Sequence, residues 1–168
     1  MAVMEGSGYH PATWESFAEA EVAAAAALAG LLVVACSINI TRIIKLPWIV
    51  SRLEGTLVLF GAVLIVGTLL LVPGQLRVVL GIEIAAVGGA AAWGVFAARG
   101  LPGTDSEYQK YAVAVATLGV LAAALIAASG VFVALGVLGG LYWLVPGTLL
   151  AFTIGLGNAW VALVEILR

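Results

Sequence analysis

Apolar residues run in long blocks along the chain, and the interruptions between blocks are short and rich in turn-forming residues. Each block holds about 20 apolar residues, the length a helix needs to cross the hydrocarbon core of a bilayer. After a polar segment from Glu5 to Thr13, the Thr13 hydroxyl is placed to cap the turn Trp14-Glu15-Ser16. Trp14 and Phe17 suit an interfacial belt, where an aromatic ring meets headgroups on one side and acyl chains on the other. From Val22 the chain is apolar to Ile40, and the first helix is expected over residues 14–45, stopped by Pro47. Its roughly 33 residues would reach about 50 Å, longer than the bilayer core, so one end must project or tilt.

A second span is expected over residues 53–72, closed by Pro73-Gly74, because Pro fixes φ and Gly tolerates φ > 0. A third covers 76–98. The segment from Arg99 to Glu107 is the only strongly polar loop. A fourth span covers 111–136, a Gly-rich turn takes Val137 to Gly140, and a fifth covers 142–167. The pattern therefore predicts an all-α, polytopic membrane helix bundle of five transmembrane helices in a single domain. A four-helix reading stays open, because the turn near Gly139-Gly140 carries no charge.

Composition agrees with the blocks and narrows the chemistry. Of 168 residues, 64% are hydrophobic and 10% charged, where a soluble domain is about half apolar and a quarter charged. Seven Lys and Arg against nine Asp and Glu give a net charge of −2, so no basic surface exists to neutralise a nucleic acid backbone. One His and one Cys leave no metal constellation, disulfide framework or cofactor site to expect. No Lys or Arg precedes Arg42, the wrong flank for a secretory signal, so the first block is expected to be retained as a helix.

Orientation follows from Lys and Arg in the short loops. Arg42, Lys45, Arg52, Arg99, Lys110 and Arg168 fall on one side of a five-helix arrangement, with Arg77 alone opposite. The amino end is expected outside and the carboxyl end cytoplasmic. In a four-helix arrangement Arg168 would part from the other five.

Helices in lipid associate through close packing of small residues and hydrogen bonds rather than the hydrophobic effect. Every predicted helix except the second carries a suitable stripe: Ala26 and Gly30; Gly81, Ala85 and Gly89; Gly119, Ala123 and Ala127; Gly147, Ala151 and Gly155. A tight bundle is expected, with some stripes left for copies of the same chain.

Polar residues inside the spans are the candidate sites. Glu83 lies about 12 Å along its helix from the Pro73-Gly74 turn. A carboxyl there must be protonated, paired or in contact with water. It is either a proton- or cation-sensing group or a neutral acid bonded to Thr148, Thr153 or a carbonyl. Ser37, Asn39, Glu54 and Asn158 share a depth near the other edge, where amides and hydroxyls can bond across the bundle. Glu54 also suits an interfacial helix start. Glu15, Glu19 and Glu21 decorate the outer end of the first helix, with Glu15 and Glu19 stacked at i and i+4. In an oligomer they would form an acidic ring that concentrates cations; alone they are a solvated first turn. His10 stands by itself in the tail and Cys36 lies within a span, so no nucleophile with a base is evident and enzyme activity is not expected.

Three segments carry a resemblance: Ala-Ala-Leu-Ala-Gly-Leu-Leu-Val-Val-Ala-Cys-Ser-Ile-Asn at 26–39, Leu-Tyr-Trp-Leu-Val-Pro-Gly at 141–147, and Asn-Ala-Trp-Val-Ala-Leu-Val-Glu-Ile-Leu-Arg at 158–168. They resemble a family of small bacterial multi-pass membrane proteins, some labelled "modulator of FtsH protease". The resemblance implies a plasma-membrane location and contact with a membrane-bound quality-control protease, and it brings no site residues. Two functional expectations remain. One is a non-enzymatic scaffold or modulator, homo-oligomeric or part of a larger membrane complex. The other is an oligomeric cation channel or ion-coupled carrier using Glu83 and the acidic end of the first helix.

Overall fold

The computed structural model describes residues 8–45, 47–98 and 106–163, with side chains everywhere but 47–48 and 106–112. A 3₁₀ turn, Pro11–Trp14, leads into α1 (Glu15–Ile38), followed by the short α2 (Ile40–Ile43), α3 (Pro47–Leu70), α4 (Arg77–Ala98) and α5 (Ser106–Leu135). A second 3₁₀ turn, Gly140–Trp143, precedes α6 (Leu144–Leu163). Five helices, α1 and α3 to α6, are long and apolar enough to cross a membrane. The five-helix reading holds, and α3 sits centrally, touching all four other spans.

Several boundaries differ from those expected. The first helix does not run unbroken to residue 45. Asn39 leaves the helical region at φ −107° and ψ 14°, and its amide donates to the Ala162 carbonyl of α6 at 2.9 Å. The chain then restarts as α2, of which Ile43 alone is buried. α3 begins at Pro47, six residues earlier than expected, because proline lacks the N–H that a first helical turn would leave unbonded. Arg52 is thereby moved from a loop into a helix, where it is half-buried. α5 likewise starts at Ser106, inside the expected polar loop. Residues 99–105 and 164–168, including Arg99, Glu165 and Arg168, lie outside the described residues.

Trp14 and Thr13 also depart from expectation. Thr13 lies inside the 3₁₀ turn, where its Oγ1 donates back to the His10 carbonyl at 2.8 Å, and the N-cap position of α1 falls on Trp14. Trp14 is buried, edge-to-face with both Phe17 and Tyr142, so its ring is turned to the protein and not outwards. The preceding residues form a strap over the α5–α6 turn. Leu141 N donates to the Gly8 carbonyl at 2.9 Å, Gly139 N donates to Tyr9 Oη at 2.9 Å, and the Arg77 guanidinium lies 6.0 Å from the Tyr9 ring centre. Gly8 must be glycine here, since a Cβ would sit 2.3 Å from the Gly139 oxygen.

The α5–α6 connection turns through left-handed backbone at Gly136, Leu138, Gly139 and Gly140. Leu138, at φ 54°, is the one residue among these with a Cβ, and such a residue costs about 1–2 kcal/mol. Its side chain is 68% exposed, so little burial offsets that cost. Leu138→Gly is expected to stabilise the protein by about 1 kcal/mol, read as a higher thermal midpoint in detergent.

Small residues draw the helices together, though not always the expected ones. α4 and α5 meet through Gly81, Ala85 and Gly88 against Ala127, Gly130 and Ala134, with backbone against backbone. Gly89, expected in this stripe, is exposed and faces nothing within 4 Å. The stripe on α6 is as expected: Gly147, Ala151 and Gly155 are all buried, with Gly155 making room for the Phe60 ring. α3, thought to lack such a contact, supplies Gly67 against Val22 and the Ala18 carbonyl of α1. Ala26 and Gly30 of α1 point away from the bundle.

Candidate functional site

The inward face of α1 follows a seam of alternating three- and four-residue steps: Ala18, Glu21, Ala25, Leu28, Leu32, Ala35 and Asn39. All but the partly buried Leu28 are buried. This is the spacing that keeps one helix face on its neighbour over several turns. Two positions on the seam are polar, and both reach α6. Near its start, Thr148 Oγ1 lies 3.1 Å from Glu21 Oε1; near its end, Asn39 bonds Ala162. The order of these contacts makes α1 and α6 parallel, as an odd number of crossings requires.

A polar cluster joins α3 to α6 one helical turn before the Asn39–Ala162 contact. Arg52 Nη2 donates to Asn158 Oδ1 at 2.6 Å, Asn158 Nδ2 donates to Thr56 Oγ1 at 2.7 Å, and Thr56 Oγ1 donates to the Arg52 carbonyl at 2.9 Å. Arginine can only donate, which fixes the orientation of the amide. The adjoining recess, lined by Ile49, Arg52, Leu53, Asn158 and Val161, is too narrow for a water molecule. The cluster works as a cross-helix fastening, each such bond in a membrane being worth about 0.6–2 kcal/mol.

The other expected site residues disperse. Ser37 is exposed and bonds the Val33 carbonyl of its own helix. Glu54 is exposed on α3, and Glu15 and Glu19 are exposed on α1. Glu83 is half-buried and accepts a hydrogen bond from Gln75 Nε2, at the start of its own hairpin arm, rather than from Thr148 or Thr153. Arg77, six residues before Glu83, turns instead towards Tyr9 and Gly136.

The residue with the most unusual surroundings is Glu21. This acid, which the sequence places with Glu15 and Glu19 at the outer end of the first helix, is only 8% exposed. Its second oxygen, Oε2, is buried with no hydrogen-bond partner. The signal was present, because Glu21 falls in register with Ala18, Ala25 and Leu32, whereas Glu15 and Glu19 do not. Thr56 and Gln75 carry no signal in the sequence pattern, and Arg52 reads there as a loop charge; a helix starting at Pro47 places Arg52 and Thr56 on one face of α3, four residues apart. Among the described residues no group of three or more His, Cys, Asp or Glu could hold a metal ion. No protein-family model matches the chain, and no curated protein or solved structure shows significant similarity to it.

Proposed function

We propose that the protein is a non-enzymatic membrane scaffold or accessory subunit that meets copies of itself, or a larger complex, through the outward face of α1. The observation that carries this reading is an imbalance in how small residues are used. Gly81 and Gly88 of α4, Gly130 of α5 and Gly147 and Gly155 of α6 are packed inside the bundle, although Ala86, Gly89 and Ala90 of α4 and Gly157 of α6 are exposed; on α1 the one glycine, Gly30, faces outwards together with Ala23, Ala26 and Ala27. Only 17% of the most apolar stretch of this span is buried, against 33–56% in the other four. Small residues on a lipid-facing surface let a second helix approach closely. A membrane-bound protease is the larger partner that the sequence resemblance offers.

Native mass spectrometry from detergent tests the reading. More than one copy is expected in the wild type, and Gly30→Leu is expected to reduce the copy number without lowering thermal stability. A wild type that is monomeric both alone and in membrane extracts would contradict it. Arg42 and Lys45, exposed in the α2–α3 turn region, support a cytoplasmic placement of that end in a bacterial plasma membrane, with the amino end outside.

A second reading, an oligomeric cation channel or ion-coupled carrier, draws on half-buried Glu83 and on Glu15 and Glu19 at the mouth of α1. In liposomes it requires an ion flux that falls in Glu83→Gln or Glu19→Gln. A silent wild type removes it.

A further inference from the structure

We propose that Glu21 is a proton-binding site, whose carboxyl holds a proton within the bundle and donates it in a hydrogen bond to the Thr148 hydroxyl. The argument begins with hydrogens. Thr148 Oγ1 lies 3.1 Å from Glu21 Oε1 and 3.2 Å from the Val145 carbonyl oxygen. A hydroxyl has one hydrogen, so it serves two acceptors at once only by splitting it into two weaker three-centre bonds. If Thr148 donates to Val145, the bond between Glu21 and Thr148 needs a hydrogen of its own, and only a protonated carboxyl supplies it. The second oxygen, Oε2, is buried without a partner. A carbonyl oxygen tolerates that isolation better than one end of an ionised carboxylate.

The surrounding charges agree. On α3 every residue after Glu54 is uncharged, as are residues 113–135 of α5 and all of α6. On α1 the other charged side chains are Glu15 and Glu19, both acidic and exposed. The 3₁₀ turn Pro11–Trp14 carries no charge, and His10 before it is exposed. On α4, Glu83 is engaged by Gln75, while Arg77 lies against Tyr9 and Gly136. An ionised Glu21 would thus be a buried charge with no cation facing it among the described residues, a state that membrane interiors strongly disfavour.

Loss of the proton would turn the Thr148 hydrogen from Val145 to Glu21 and leave a bare charge on the α1–α6 seam. Proton binding is thereby tied to the docking of α1, independently of whether the outward face of α1 associates with a partner.

Infrared difference spectroscopy on the full chain in liposomes at neutral pH, wild type against Glu21→Gln, tests the assignment. The expected difference is the loss of one protonated-carboxyl C=O band. Loss of ionised-carboxylate stretches instead would overturn the proposal. Thr148→Val guards against a Glu21→Gln protein that fails to fold, since it removes the partner and leaves the acid. It is expected to shift a protonated-carboxyl band; a shift confined to carboxylate stretches, or no change, would overturn the proposal equally.

Discussion

Gly130→Ala is expected to be among the most damaging single changes the protein can suffer, although it adds one methyl group. A Cβ at residue 130 would stand 2.2 Å from Ala85 N and 2.6 Å from the Gly81 oxygen. Both are backbone atoms of α4, so no rotamer change relieves the clash. The reciprocal contacts are as close: a Cβ at Gly81 would lie 2.5 Å from Ala134 N, and one at Gly88 would lie 2.4 Å from Ala127 N. The two helices would have to separate, and every small-residue contact along the seam would loosen with them. Overpacking of a well-filled interior costs about 1–3 kcal/mol, and a rigid backbone contact belongs at the upper end. The measurement is thermal unfolding in detergent with Gly89→Ala as the control. That neighbouring glycine faces nothing within 4 Å, so its substitution is expected to stay within about 0.5 kcal/mol. Equal effects of the two variants would refute the interlock.

The second large effect is expected at Asn158. Asn158→Ala deletes the acceptor of Arg52 Nη2 and the donor to Thr56 together, opening the ring of bonds that fastens α6 to α3. A hydrogen bond to a charged group contributes about 1.5–3 kcal/mol, and the half-exposure of Arg52 argues for the middle of that range, about 2 kcal/mol. Ser37→Ala is the matched control, because Ser37 is exposed and bonds only its own helix; it is expected to change stability by less than about 0.5 kcal/mol. Chemical denaturation in mixed micelles separates the two. If Asn158→Ala behaves like Ser37→Ala, the cluster is not holding the helices.

Span number, order and most helix limits were legible in the hydropathy pattern, because a bilayer demands long apolar runs and the chain obeys that demand nearly everywhere. What the pattern concealed were phase and partner. Gly88 and Gly89 are equally small, but seven residues from Gly81 return to within about 20° of the same helix face, whereas eight leave it by about 80°. Counting by fours chose the wrong glycine. Glu21 was misread for a related reason: an i, i+4 pairing of Glu15 with Glu19 drew the acids onto one surface, while the three-and-four seam through Ala18 and Ala25 runs inside. Arg52 reads as a loop charge if Pro47 ends one helix, but Pro47 is the first residue of the next. The strap of Gly8 and Tyr9 over the α5–α6 turn depends on contacts between residues some 130 positions apart, which no local pattern encodes.

Single-cysteine labelling tests the five-span bundle most directly. In a Cys36→Ser background, cysteines replacing the exposed residues His10, Thr41, Pro73 and Leu138 are treated in sealed vesicles with a membrane-impermeant thiol reagent. His10, Pro73 and Leu138 are predicted to react from one face of the membrane and Thr41 only from the other. Reaction of His10 and Thr41 from the same face, or of His10 and Leu138 from opposite faces, would contradict the arrangement of helices on which the whole account stands.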